Sequence, residues 1–393
     1  MTQVDQAVFD IIQASLWGKK PPQVDRKIYE ELVAHTIHTL PAGILSSISM
    51  DPELRSEWVK ENYLQVTHNV NYRYEQDALP ISVPYAILKG TEAAQYYPHP
   101  EFRNMGDIDI ITRREDFLSV CNMLIQGGYT EYIPKYTGET IRHRIFTKED
   151  IMVEVHKYFA MFNDKESAEY VDNLIINQID DTHRLPDFVN GIVFLEHISQ
   201  HMEEGLGLRQ IIDWMMFVHQ CLPDEKWEEF RYMTICAGVE KLAIICTRMC
   251  EIFLGLPERA WSKEADEALC KRLMEYVLAC GNFGNKREYK SFRSEKMLSI
   301  ARSPTAIFTL LQRYGMYNWK SAKKHPILKP FAWLYQTFRY VRITFTRRIS
   351  VKALVGEYSI SRKRNKLFDD LGVTQKSKRL VVYEDGKYIK DHL

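Results

Sequence analysis

The chain has 393 residues, 45% hydrophobic, 26% charged and 12% aromatic, enough apolar content for a buried core and too much for a disordered or low-complexity protein. Lys+Arg and Asp+Glu both total 52, and this zero balance argues against wholesale electrostatic binding of nucleic acid. No run of about 18 apolar residues is present, which excludes a helical membrane span.

Asp5 and Asp10 interrupt the first helical stretch, and no long apolar region precedes them, so the N-terminus does not read as a secretory signal. Seven cysteines without a C-x-x-C pair argue against a disulfide framework or a structural zinc site. The expected location is the cytoplasm.

Residues 1–75 read as helical. Val4, Ala7, Val8, Ile11, Ile12 and Leu16 form one apolar stripe, and Ile28, Leu32, Val33 and Ile37 repeat the pattern before Pro41. The periodicity changes within 76–185. The run ISVPYAILKG is β-prone, DIDIIT alternates acid and isoleucine, and residues 114–126 predict a helix stopped by Gly127-Gly128. IRHRIFT and IMVEVHKYF alternate on either side of Lys148-Glu149-Asp150, the pattern of a hairpin. A small mixed sheet with a packed helix is the economical arrangement.

The helical period returns over 186–300. Pro186-Asp187 predicts a stop and cap, Leu208, Ile211, Ile212, Met215 and Met216 mark a second helix, and Asp224 is positioned to cap a third. Cys246 and Cys250 share a helix face and read as core. The extension 301–393 holds a basic, aromatic segment: 320–366 carries thirteen Lys or Arg against the single acid Glu357. It fits a solvated surface, an anionic membrane surface or a phosphate backbone, in that order.

The sharpest feature is Gly106-Asp107-Ile108-Asp109-Ile110. On a strand, residues i and i+2 point the same way, so Asp107 and Asp109 should project together. Neighbouring carboxylates repel unless a cation or proton lies between them, which suits oxygen-liganded Mg²⁺. Glu154, flanked by Val153 and Val155, is the candidate third acid, with which two metals could be held. An ordinary exposed strand face would show the same dipeptide spacing. Upstream, Lys89-Gly90-Thr91 follows a predicted strand and opens a helix, where a glycine admits phosphate to the backbone and Thr91 and Lys89 offer a hydroxyl and a charge. Arg103 lies close enough in sequence to reach a triphosphate.

His197 and His201 are spaced for one helix face, but HISQH lacks the glutamate of a metalloprotease motif, so packing near a cleft is preferred to zinc. Arg209 and Asp213 stand at i and i+4 and suggest an intrahelical ion pair. His156 leaves the same strand face as Glu154. Arg142, His143 and Arg144 alternate along the hairpin's first strand, so at most one face of it looks into a cleft.

Together, Lys89-Gly90-Thr91, Tyr97-Pro98-His99-Pro100, Arg103, Gly106-Asp107-Ile108-Asp109-Ile110 and Val153-Glu154-Val155-His156 resemble the uncharacterised nucleotidyltransferase family of the polymerase-β superfamily. Leu208 to Trp214 is similar to that family's helical segment. A lysine before the glycine and a long interval from turn to acids depart from the commonest superfamily members. The resemblance implies an α+β fold, a minimal nucleotidyltransferase mixed sheet flanked by N-terminal and C-terminal helical regions.

It also implies transfer of a nucleoside monophosphate from an NTP to a hydroxyl with Mg²⁺ (or Mn²⁺) and release of pyrophosphate. Asp107, Asp109 and Glu154 would hold metal and carry catalysis, and Lys89, Gly90, Thr91 and Arg103 would hold the triphosphate. The acceptor would be a small molecule, glycolipid or protein. The family's association with bacterial surface-polysaccharide genes favours a sugar- or lipid-linked acceptor. Segment 331–345 would then bring the enzyme to the inner membrane surface. The competing expectations are a catalytically silent nucleotide-binding module and an RNA-modifying terminal nucleotidyltransferase.

Overall fold

The computed structural model describes residues 1–35, 51–132, 142–160, 165–280, 304–346, 362–373, 381–384 and 387–390. Several sequence expectations lie outside these residues: Ile37 and Pro41, Ile141, the helical pattern over 281–300, the basic residues between 347 and 361, and most of the C-terminal tail. The helices are α1 (Gln3–Trp17), α2 (Arg26–His35) and α3 (Pro52–Asp77), then α4 (Gly90–Ala94), α5 (Phe117–Gln126) and α6 (Lys165–Ile176). After them come α7 (Asp187–Glu204), α8 (Leu208–Cys221), α9 (Trp227–Cys236), α10 (Glu240–Leu254), α11 (Glu267–Cys280), α12 (Pro304–Asn318) and α13 (Ala332–Thr346).

The strands β1 (Tyr85–Leu88), β2 (Ile108–Thr112), β3 (Thr130–Tyr132), β4 (His143–Lys148) and β5 (Ile151–His156) form one five-stranded sheet of order β1-β2-β5-β4-β3. Strand β2 runs parallel to β5, and the other neighbours are antiparallel, so the sheet is mixed and the fold α+β, as expected. The hairpin forms where the alternation placed it, with Glu149 in left-handed backbone at its turn (φ 52). Strand β3 was not anticipated, because three residues are too few to show a period.

Side-chain alternation divides the sheet between two cores. Ile87, Ile108, Ile110, Val153 and Val155 pack with Val120 and Leu124 of α5. Ala86, Leu88 and Ile111 enter the larger core built by the helices. The face opposite α5 therefore carries Asp109, Glu154 and His156 towards α7 and α8.

The larger core ties distant parts of the chain together. Gln13 Nε2 of α1 donates to the Phe253 carbonyl at 2.9 Å, and Trp17 Nε1 to that of Leu254 at 2.7 Å, which fastens α1 to the end of α10. Trp214 of α8 donates to the Thr247 hydroxyl of α10 at 3.0 Å. Leu367, Phe368 and Leu371, in helical residues 362–371, join the same core.

Two cap expectations are corrected. Asp187 opens α7 without capping it, and its carboxylate accepts the Tyr96 hydroxyl at 2.8 Å. Asp224 begins a short 3-10 turn ahead of α9 and accepts the Ala260 amide at 2.8 Å. Both side chains are spent on tertiary partners, which a local cap signal cannot foresee. Asp51 does cap α3, accepting the Leu54 amide at 2.9 Å.

Candidate active site

The chain leaves β1 through two consecutive positions in left-handed backbone, Lys89 (φ 55) and Gly90 (φ 38). A lysine tolerates this region poorly, so the surroundings must hold it there. Its ammonium lies 2.7 Å from Asp109 Oδ2, with Lys89 only 8% and Asp109 2% exposed. The other oxygen, Asp109 Oδ1, is 2.8 Å from His156 Nε2.

The parallel register sets Asp109 directly opposite Glu154, and Glu154 Oε2 stands 3.6 Å from the same His156 nitrogen. Asp107 immediately precedes β2 and is half-buried at the mouth of this group. Lys89, Gly90, Asp107, Asp109 and Glu154 line a single cavity of 410 Å³. His156 and His143 line the same cavity from the hairpin.

The rest of the lining adds two cationic side chains, Arg142 and Arg209, and three polar ones from α7. Arg142 precedes β4, Arg209 stands on α8, and His197, Gln200 and His201 project from one face of α7. Arg142 also donates to the Phe159 carbonyl at 2.8 Å, and Gln200 donates to that carbonyl at 2.9 Å. Gln200 was missed in the sequence, although its place beside His197 and His201 at helical spacing is a usable signal. The two histidine rings lie 4.5 Å apart, near the cleft as expected.

Arg103 and Thr91 reach the neighbourhood with their polar atoms already engaged. Arg103 meets both oxygens of Asp213, Nε at 2.8 Å and Nη2 at 2.6 Å, while Tyr97 donates to the same carboxylate at 2.8 Å. The expected intrahelical partnership thus gives way to a buried bidentate pair across 110 residues of sequence. Arg209 instead donates to the Asn104 carbonyl at 3.3 Å beside the acids. Thr91 turns its hydroxyl to Gln76 Oε1 at 2.7 Å, into the packing of α3 and not towards the cavity.

Charge compensation follows from the contacts. Burial alone would raise the Asp109 carboxyl, but Lys89 and His156 more than reverse this and hold it well below the usual carboxylate range. Burial also disfavours the Lys89 charge, yet Asp109, Asp107 and Glu154 outweigh it and raise the lysine pKa. Glu154, buried beside two other acids, is pushed up to about 8. Burial and Asp109 raise Asp107. The histidines are kept neutral: burial lowers His156 to about 4, and burial with His156 and Arg142 lowers His143 to about 3.

Among the described residues, the atoms that could converge on a metal ion belong to Asp109, Glu154 and His156, with one donor from each lying within 4.8 Å of the others. Cis donors to a divalent cation with bonds of about 2.1 Å stand roughly 3 Å apart. The 2.8 Å and 3.6 Å separations here bracket that value, so the residues fit a cation with small adjustments.

The mixed sheet between helical layers is consistent with a nucleotidyltransferase-like fold. The sequence profile of the uncharacterised nucleotidyltransferase family matches residues 26–255, more than half of the chain, and the chain belongs to that family. The match runs from α2 through α10 and contains every cavity residue described above. No curated protein and no solved structure matches the chain.

Proposed function

We propose that the protein is a divalent-metal-dependent nucleotidyltransferase that moves a nucleoside monophosphate from an NTP to a hydroxyl of a small-molecule, sugar- or lipid-linked, or protein acceptor. The pairing of Asp109 with Glu154 across parallel strands, in a cavity that Arg142 and Arg209 also line, carries this reading. The acceptor oxygen attacks the α-phosphorus, the bond to the bridging oxygen breaks, and pyrophosphate leaves with that electron pair.

Asp107, Asp109 and Glu154 would hold Mg²⁺ or Mn²⁺, which neutralises charge developing on the phosphoryl oxygens. Glu154, with its side chain 20% exposed, is the acid open enough to meet the acceptor hydroxyl, while Asp109 is enclosed. The Lys89 ammonium uses one hydrogen on Asp109 and keeps two for phosphate, next to the backbone of Gly90. Arg209 and Arg142 line the cavity with the acids and suit the triphosphate. Arg103, neutralised by Asp213, would shape the turn ahead of β2 and leave direct phosphate contact to Arg209.

No described helix is long and apolar enough to cross a membrane. On α13 and the turn before it, Phe331, Leu334, Phe338 and Val341 are exposed, Phe338 by 72%. Lys324 and Lys329 lie exposed beside this stripe in a segment with thirteen basic residues and one acid. An apolar stripe fringed with lysines suits the surface of an anionic bilayer, which would bring a lipid-linked acceptor within reach.

Incubation with labelled NTPs, Mg²⁺ or Mn²⁺ and a cell extract tests the activity. Label should appear in a small molecule, glycolipid or protein with pyrophosphate released, and Asp107→Asn should abolish both. NTP binding without pyrophosphate release in any fraction would support a silent binding module, and label in RNA would support a terminal transferase. Vesicle co-sedimentation tests the surface: anionic liposomes should retain the full chain and lose Leu334→Glu/Phe338→Glu. Equal retention on neutral vesicles would remove the membrane contact.

A further inference from the structure

We propose that His156 is a direct ligand of the bound cation, and that the centre is a mixed nitrogen and oxygen site for a first-row transition dication, with Mg²⁺ the poorer occupant. This rests on the metal-dependent reading above and goes beyond it in naming the donor atom and the class of ion. The two oxygens of Asp109 are not equivalent. Oδ2 faces the fixed positive charge of the Lys89 ammonium at 2.7 Å, which repels a cation, whereas Oδ1 meets a neutral imidazole whose Nε2 proton can move to Nδ1 and leave room for one.

Oδ1 points at His156 Nε2, 2.8 Å away, and Glu154 Oε2 approaches the same nitrogen at 3.6 Å. A cation that takes one oxygen from each acid is therefore seated against an imidazole nitrogen. The alternation of β5 enforces this, because Glu154 and His156 leave the same face of the strand and both meet β2 partners in register, Asp109 and Ile111. His156 cannot turn away easily: it is 1% exposed, with the Phe159 ring edge-on at 5.9 Å and the His143 ring at 5.2 Å. When the cation occupies Nε2, the ring proton resides on Nδ1, so a neutral imidazole keeps its proton count.

Ligand type then decides the ion. Mg²⁺ demands near-ideal octahedral oxygen coordination and retains water, whereas an imidazole in the set favours the first-row transition dications. The alternative role for His156 is a hydrogen-bond donor that only orients Asp109, as partners of metal ligands commonly do. The two roles predict different spectra.

The test uses the full chain with Mn²⁺ as the probe, without nucleotide or acceptor. Electron spin-echo envelope modulation of bound Mn²⁺ should show coupling to a directly bound ¹⁴N, and labelling the histidines with ¹⁵N should shift it. The coupling should vanish in His156→Gln and survive in His201→Asn. In competition, Mg²⁺ should need at least about tenfold higher concentration to displace Mn²⁺ from wild type, and His156→Gln should narrow that gap. Bound Mn²⁺ without nitrogen coupling, or equal competition by Mg²⁺, would overturn the assignment of His156 while leaving metal-dependent transfer standing. Failure of wild type to bind Mn²⁺ at all would overturn both. The isotope experiment on wild type needs no variant to fold, so a misfolded His156→Gln would not rescue the idea.

Discussion

Lowering the pH should destabilise the metal-free protein well before general acid denaturation, because its site buries several neutral histidines. Burial lowers His156 to about 4 and, with help from His143's neighbours His156 and Arg142, lowers His143 to about 3. Burial, Lys89 and Arg209 lower His201 to about 4, and burial, Lys89 and His201 hold His197 well below its ordinary value. In the unfolded chain these rings take up protons near 6.5, so between about 6.5 and 4 the unfolded state binds more protons than the folded state. The stability they contribute is complete above 6.5 and is lost as the pH falls towards their folded values.

His156 and His197 are 1% and 7% exposed, so solvent screening discounts them least. Each contributes about 1.4 kcal/mol per pH unit in that window, so the pair loses on the order of 4 kcal/mol between pH 7.5 and 5. Glu154 opposes this. Its folded value near 8 lies above the unfolded one, so its stabilisation is greatest in acid and is lost as the pH rises through 8. The more exposed His143 and His201 act in the acid-sensitive direction and offset it. Urea titrations in chelator between pH 7.5 and 5 should therefore show a loss on the order of 4 kcal/mol, and His197→Phe should shallow the slope by one proton. A flat profile, or an unchanged slope in that variant, would refute the account of the buried neutral rings.

Substitutions at the two strand acids should separate catalysis from stability. Asp109→Asn leaves the buried Lys89 ammonium without its partner and should cost about 3–5 kcal/mol in urea unfolding, whereas half-buried Asp107→Asn should cost under about 1 kcal/mol while abolishing transfer. Gly191→Ala would set a methyl carbon 2.5 Å from the Phe217 ring and 2.9 Å from that of Phe230, and should lower stability by about 1–3 kcal/mol without altering metal affinity.

The parts legible in the sequence are those whose signal is local. Period-two alternation in 108–112 and 151–156 gave both strands their faces: Ile108, Ile110, Val153 and Val155 lie on the α5 side, and Asp109, Glu154 and His156 on the other. Lys89-Gly90 announced the turn, since glycine is cheap in left-handed backbone. Partner choice was not legible. The salt bridge from Lys89 to Asp109 has no local signal, and the Thr91 hydroxyl is taken by Gln76 on a helix that sequence treats as remote. Helix α6 went unanticipated, and its Asp172, fully buried, accepts the Phe159 and Ala160 amides at 2.9 Å each, holding the loop that leaves β5. Such contacts depend on long-range packing, which periodicity does not encode.

Asp213 shows how a choice of partner sets the character of the cavity. Helical spacing offered Arg209, but a guanidinium one turn away must bend to meet a carboxylate on its own helix, and such pairs contribute only about 0.2–0.5 kcal/mol. Arg103 arrives from the turn before β2 with both nitrogens aligned, at 2.8 Å and 2.6 Å, and Tyr97 adds a third hydrogen bond. Asp213 more than offsets the burial penalty on Arg103 and raises its pKa, whereas burial and the neighbouring Arg103 lower that of Arg209. The first arginine therefore braces the sheet against α8, and the second lines the cavity with its charge near Asp107. Asp213→Asn should strand a buried guanidinium and reduce stability by about 3–5 kcal/mol, with most of the loss recovered when Arg103→Met is added. Arg209→Met should keep stability within about 1 kcal/mol of wild type yet weaken NTP binding, read by urea titration and by nucleotide titration of the same samples. If Arg209→Met unfolded the protein as readily as Asp213→Asn and left nucleotide affinity intact, the division of labour between the two arginines would be wrong.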